Sequence, residues 1–449
     1  MLSGQVRRIA LAQVERGRDL ASAPPPGLRG LVERAKSPVE IHHALLKEAP
    51  LLDARQRGEN RPSPHRLREE AAAVGLIDAT PTEVAYRRLF PTLDHGIYCA
   101  HHAVGVPSEA LQYRMEEHHG QLYQHGLGAW GTGGWHTLMG SFRNRVCTVL
   151  AAAPDAGDVV PFPSVPDALA AVLDGGISGH LLCGADHTGS ARSLHAWWSA
   201  RTDSTFTALA GDRDGWVPTA QYVDALTPHT TVVSLRTAHG RTGRLHDLPS
   251  LAAAMRSVCP EATLLVDTGP SLGTIPFSVS GLPDRTAVLG GGLEQLHCGP
   301  GAGFAWLSSA LLDDLRSLRA GPPDPAPLAA LVTELDVLST LGGGSIPAAI
   351  EQVRARTVRT VEAALQAARG AGLEVVGEEP ARARVPLVCL RVPHATALVA
   401  RLATEGVVAD ARAEGAGPGG LLRLSTAGAA FEYELMFAIE RVATAMRGA

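Results

Sequence analysis

Residues 289–301 read Leu-Gly-Gly-Gly-Leu-Glu-Gln-Leu-His-Cys-Gly-Pro-Gly and carry Glu294, His297 and Cys298 between two apolar runs. A carboxylate and an imidazole on one tight loop are residue types of general acid–base chemistry, and glycine lets the backbone approach a ligand closely. Cys298 is a thiol in apolar company, where such groups are usually inert. Upstream, residues 262–267 (Ala-Thr-Leu-Leu-Val-Asp) read as a buried strand ending on the acid Asp267. Arg423, on the apolar run 421–424, offers a planar fork that suits a carboxylate. Histidine supplies a second candidate chemistry. His95, His101, His102, His118, His119, His125 and His136 lie close together, and Glu116 and His119 stand three apart on a helical pattern, a spacing that suits a metal. The glycine clusters at 290–292 and 299–303 lack both the GxGxxG order and the Lys-Ser/Thr of nucleotide loops.

Composition narrows the classes. The 449 residues are 45% hydrophobic and 19% charged, ordinary for a globular chain and long enough for two or three domains. A net charge of −5 with no basic run argues against a nucleic-acid partner. No apolar stretch reaches the ~18 residues of a membrane helix, so no membrane partner is expected. The polar N-terminus does not read as a signal peptide, and a cytoplasmic location is expected. Six cysteines without CxxC pairing read as reduced thiols. Lys36 and Lys47 are the only lysines in the chain.

These residues need elements to hold them. The pattern divides into a helical N-terminal extension (1–85), a large α/β domain (86–325), connecting helices (326–370) and a small α+β domain (371–449). Within the large domain, strand patterns at 159–162, 180–183, 205–209, 230–235 and 262–267 alternate with helical ones. That alternation predicts a mostly parallel sheet covered on both faces.

From about residue 93 onward, the order of these pieces resembles the class V aminotransferase and kynureninase group of pyridoxal-phosphate (PLP) enzymes. The resemblance implies PLP-dependent transferase fold type I: a mostly parallel central sheet, a small α+β C-terminal domain and active sites at a dimer interface. It places Asp267 against the pyridine nitrogen, Ser164 and Asp186 in the cofactor site, and Arg423 on a substrate carboxylate. In the group a lysine follows the glycines and forms the Schiff base; the matching position here is Glu294. Pro166 stands for a phosphate-binding threonine and Pro270 for a histidine, and Leu293 differs as well. Together these exchanges imply lost Schiff-base chemistry, with no cofactor expected and PLP held only non-covalently if bound. The expected protein is a pseudoenzyme that binds a small carboxylate or amino-acid-like ligand, as a homodimer or as a heterodimer with an active paralogue. One alternative is a repurposed enzyme using Glu294 and His297 as acid–base groups; some fold type I sugar dehydratases work with histidine in place of the lysine. The other is a histidine-rich metal-binding protein on the same fold.

Overall fold

The computed structural model describes residues 79–126, 128, 134–202, 204–315, 324–377, 379–413 and 419–447. Most of the expected N-terminal extension (1–85) lies outside these residues.

Seven strands form the central sheet: β1 (Gly157–Phe162), β2 (His180–Gly184), β3 (Thr205–Leu209), β4 (Thr230–Arg236), β5 (Thr263–Asp267), β6 (Thr286–Gly291) and β7 (Gly303–Ser308). Their order across the sheet is β1-β7-β6-β5-β4-β2-β3. β6, β5, β4, β2 and β3 pair in parallel, while β7 runs against both of its neighbours. The reason is local. The glycine loop between β6 and β7 is too short for a crossover helix, so the chain turns straight back.

The helices preceding and flanking the sheet are α1 (Pro81–Arg87), α2 (Glu109–His125), α3 (Gly134–Val149), α4 (Val165–Asp174), α5 (Gly189–Thr202), α6 (Thr219–Ala225), α7 (Leu248–Val258) and α8 (Ser309–Asp314). α9 (Pro325–Leu341) and α10 (Ile346–Gly370) then lead to the small domain. Alternate strand residues separate into two buried layers, as a pleated sheet requires. Leu181, Cys183, Val232, Leu265, Ala287 and Leu289 pack under α4, α5 and α8. Leu182, Val233, Leu235, Leu264, Val266 and Val288 pack under α3, α7 and α9. Strand β5 is buried along its whole length, as expected of a central parallel strand. Helix α3 has no counterpart in the sequence reading, although Phe142, Val146 and Val149 form a helical stripe and are its buried residues.

The small domain is a four-stranded antiparallel sheet, ordered β10 (Asp410–Ala413), β11 (Gly419–Ser425), β9 (Leu387–Pro393), β8 (Glu374–Val375), against α11 (Ala395–Thr404) and α12 (Glu432–Arg447). A two-residue parallel pairing, Ile97–Tyr98 with Val407–Val408, ties it to the large domain. Among the described residues no helix is long and apolar enough to cross a membrane.

A buried ion pair joins the two ends of the described chain. Arg87 on α1 meets both carboxylate oxygens of Glu434 at 2.8 Å and donates to the carbonyls of Leu93 (2.6 Å) and Ala429 (2.9 Å). Both side chains are almost fully buried. Arg87→Met removes a guanidinium that meets both Glu434 oxygens and leaves a buried carboxylate without that charge partner, which should cost about 3–5 kcal/mol. Urea denaturation measures it; a loss below 1 kcal/mol would show that Glu434 finds other relief.

Candidate active-site pocket

The pocket opens beyond the carboxyl ends of the parallel strands, the place where α/β sheets gather ligands. Its volume is about 290 Å³, and it is lined by Ser164–Pro166, His187, Ser234, Arg236, Asp267, Gly269, the 291–294 segment and the 299–303 segment. The glycine loop supplies one wall because it is folded back on itself. Gly292 N–H donates to Ala302 O and Cys298 N–H to Gly292 O, both at 2.8 Å. A Cβ on Gly292 would lie 2.5 Å from the Cys298 sulfur, so only glycine permits this closure.

Glu294 extends into the pocket from this loop. Its Oε2 is buried without a hydrogen-bond partner, and its Oε1 lies 3.8 Å from Arg236 Nη2. Burial pushes its carboxyl up to about 7, against the pull of Arg236 and with a further push from Asp267.

Asp267 ends β5 as expected, but both of its oxygens are engaged. Oδ1 accepts from Gly269 N–H at 2.8 Å and Oδ2 from Arg236 Nε at 3.0 Å. Arg236 is the functional residue that the sequence reading missed. It ends β4 and sits in register with Asp267 on β5. A lone charge closing an otherwise uncharged strand was the available signal.

The remaining expected residues are placed as follows. Ser164 caps α4, accepting from Asp167 N–H at 3.3 Å and donating to the Asp167 carboxylate at 2.5 Å. With Pro166 lacking an N–H, this helix start offers an anion one donor fewer and an adjacent negative charge. Asp186 is not part of the pocket wall. It accepts from Val217 N–H at 3.4 Å, and burial raises its carboxyl to about 6 against that hydrogen bond. His187, its neighbour, does line the pocket, with Nε2 3.2 Å from Ser234 Oγ.

Arg423 does not point a free fork at the pocket. It is bonded to Asp410 through Nε (2.7 Å) and Nη2, and its Nη1 donates to Gly240 O at 2.7 Å. Burial would raise the Asp410 carboxyl, but the His102 hydrogen bond and the Arg423 charge hold it well below the usual range.

His297 and Glu294 share a loop but not a site. His297 adopts a left-handed backbone (φ 62°), and its ring packs against Phe90 and His101 with centroids 5.3 and 5.6 Å apart. The acid–base pairing expected of these two residues is therefore not assembled, because the αL turn aims the imidazole into the core. Cys298 is buried as well, and burial drives its thiol far up.

Ser271 fits a GxSxG order, but its hydroxyl donates to Thr268 O at 2.6 Å, meets Thr237 Oγ1 at 2.6 Å and has no bonded histidine among the described residues. The histidine-rich segment does not gather either: Glu116 and His119 are exposed on α2. Among the described residues no group of three or more His, Cys, Asp or Glu is placed to hold a metal.

No family profile matches the chain. Over 252 residues it is 26% identical to the kynureninase of Burkholderia mallei (strain SAVP1), a match covering 54% of this chain and 58% of the relative. It is likewise 26% identical over 236 residues to an uncharacterized aminotransferase of Bacillus subtilis (strain 168), covering 51% of this chain and 60% of the relative. The matched stretch thus spans less than two thirds of the length of these curated relatives. Among solved structures it is similar to the cysteine desulfurase of Thermococcus onnurineus NA1, with a TM-score of 0.69, 14% identity, and 81% of this chain and 98% of that one covered. The fold is that of the PLP-dependent fold type I enzymes. In sequence the chain is thus similar, over about half its length, to a kynureninase and an aminotransferase.

Proposed function

We propose that this chain is a class V aminotransferase-like protein that no longer performs Schiff-base chemistry. It acts as a pseudoenzyme, or as the silent partner of an active paralogue, and its pocket takes a small carboxylate or amino-acid-like ligand. The observation that supports this most directly is the carboxylate of Glu294, with no lysine among the described residues. The residues present do not suit PLP: both Asp267 oxygens are already engaged, by Arg236 Nε and by Gly269 N–H, and the start of α4 is a poor phosphate site. Any PLP would therefore be held weakly and without a covalent bond. The active sites of this fold lie between subunits, so a dimer, homomeric or heteromeric, is part of the proposal. A cytoplasmic location is proposed with it.

Adding PLP to the purified protein should leave its visible spectrum unchanged, and borohydride should trap no adduct by mass spectrometry. A trapped adduct within the folded core would overturn this reading.

A second reading is favoured by the orphaned Oε2 and raised carboxyl of Glu294: the group is poised near neutrality for proton transfer. It predicts a Glu294 carboxyl infrared band that titrates near pH 7 and vanishes in Glu294→Gln. A carboxylate band that persists down to pH 5 would leave the pseudoenzyme reading standing alone.

A further inference from the structure

We propose that the pocket binds, non-covalently, a small zwitterion with an apolar body, its carboxylate on the Arg236 guanidinium and its ammonium on Glu294. This rests on the reading that the pocket no longer serves covalent chemistry, and it moves the ligand's anchor from Arg423 to Arg236.

The two arginines differ in what they have left to offer. All three nitrogens of Arg423 are bonded to Asp410 or to Gly240 O. Arg236 hydrogen-bonds only through Nε, to Asp267; its Nη2 is ion-paired with Glu294 Oε1 at 3.8 Å, but neither terminal nitrogen has a hydrogen-bond partner among the described residues, and the side chain lines the cavity. The guanidinium is also held in place. A Cβ on Gly240 would come within 2.6 Å of Nη1, and one on Gly269 within 2.3 Å of Nη2. Two glycines thus leave a slot that fits the flat group edge-on and limits its rotation. A pre-oriented planar fork whose two terminal nitrogens are free of hydrogen bonds is the geometry that carboxylates accept.

Glu294 supplies the opposite pole. Its Oε2 is buried and unpartnered, and a buried acceptor left unmatched calls for a donor. Charge balance selects between ligands. With Asp267 and Glu294 ionised, the three groups sum to one negative charge, so a bare carboxylate approaching Arg236 also meets the field of the two acids. A bare ammonium answers Glu294 but leaves the guanidinium edge empty. A zwitterion satisfies both without adding net charge. The surrounding wall is apolar, with Leu169, Leu265, Leu289 and Leu293 around the charged groups. A volume of about 290 Å³ lies at the small end of ligand sites and suits a single amino acid with an apolar side chain.

Calorimetric titration of the PLP-free protein tests this with L-phenylalanine, 3-phenylpropionate (no ammonium) and 2-phenylethylamine (no carboxylate). L-Phenylalanine should bind about tenfold or more tighter than either truncated probe. Glu294→Gln should bring it down to the level of 3-phenylpropionate. Arg236→Met alone strands Asp267, so the informative variant is Arg236→Met with Asp267→Asn, checked for folding by circular dichroism; it should lose the preference for both carboxylate probes. The proposal is overturned if 2-phenylethylamine binds as well as L-phenylalanine, or if the folded double variant keeps the parent affinity. It is also overturned if none of L-phenylalanine, L-leucine and L-tryptophan binds below about 1 mM. The outcome is independent of the borohydride experiment: a trapped PLP adduct would refute the loss of covalent chemistry, whereas these titrations report only the non-covalent site.

Discussion

A variant carrying both Glu294→Lys and Arg236→Ser should take up PLP and yield a borohydride-stable adduct at position 294, whereas Glu294→Lys alone should not. The single exchange restores an amine but sets it against Arg236, whose Nη2 lies 3.8 Å from the present carboxylate. Two unit charges about 4 Å apart repel by about 4 kcal/mol at an effective dielectric constant of 20, roughly a thousandfold in occupancy. Arg236 would also still hold Asp267 Oδ2, leaving the pyridine nitrogen no free acid. Arg236→Ser removes both obstacles and frees the carboxylate. The α4 start remains a weak phosphate site, so the titration must reach millimolar PLP. Absorbance near the cofactor's visible band, followed by mass spectrometry after reduction, gives the readout. Equal adduct yields in the single and double variants would show that Arg236 is not what stands in the way.

Lowering the pH from 7 to 5 should cost the protein a few kcal/mol of stability, enough to bring a typical domain close to unfolding. The cause is a set of histidines buried without charge. Burial lowers His195 and His297 to about 4, and His239 and His246 to about 3. Burial pushes His101 and His187 well below the ordinary value too.

Above pH 6.5 these rings are neutral whether the chain is folded or not, so they cost nothing. Below it only the unfolded chain takes up the protons, and stability falls until the pH reaches the folded values near 4 and 3. At pH 5 each such histidine costs about 2 kcal/mol. Three buried acids oppose this. Glu294 and Glu334 are raised by burial to about 7 and Asp186 to about 6, so the folded state takes up their protons first and gains as the pH falls. At pH 5 they return about 7 kcal/mol between them, slightly less than the four histidines near 3 and 4 remove. His101 and His187 settle the balance on the side of loss. Urea midpoints measured between pH 7 and 5 check the sign; a midpoint that rises on acidification would mean that the acids dominate.

Much of the scaffold was legible in the sequence because it rests on local signals. The largely apolar run ending at Asp267 announces a buried strand from short range, and the alternation of strand and helical patterns announces the parallel sheet around it. The reversal of strand β7 was not anticipated, although the loop before it is too short to cross over. The site was less legible, because side-chain direction and pairing across strands decide it. Nothing near Arg423 in the sequence shows that Asp410 and Gly240 O take up its guanidinium. Likewise, nothing near His297 shows that a left-handed turn sends its ring toward Phe90.

By itself, then, the sequence determined the class of fold and put Glu294, with no lysine, on the glycine loop, since each depends on residue identity and order along the chain. Only the tertiary structure decided what that carboxylate meets in the pocket. It set Arg236 beside Asp267 across two parallel strands and left one oxygen of Glu294 unmatched, because register and burial, not sequence proximity, fix which charges meet.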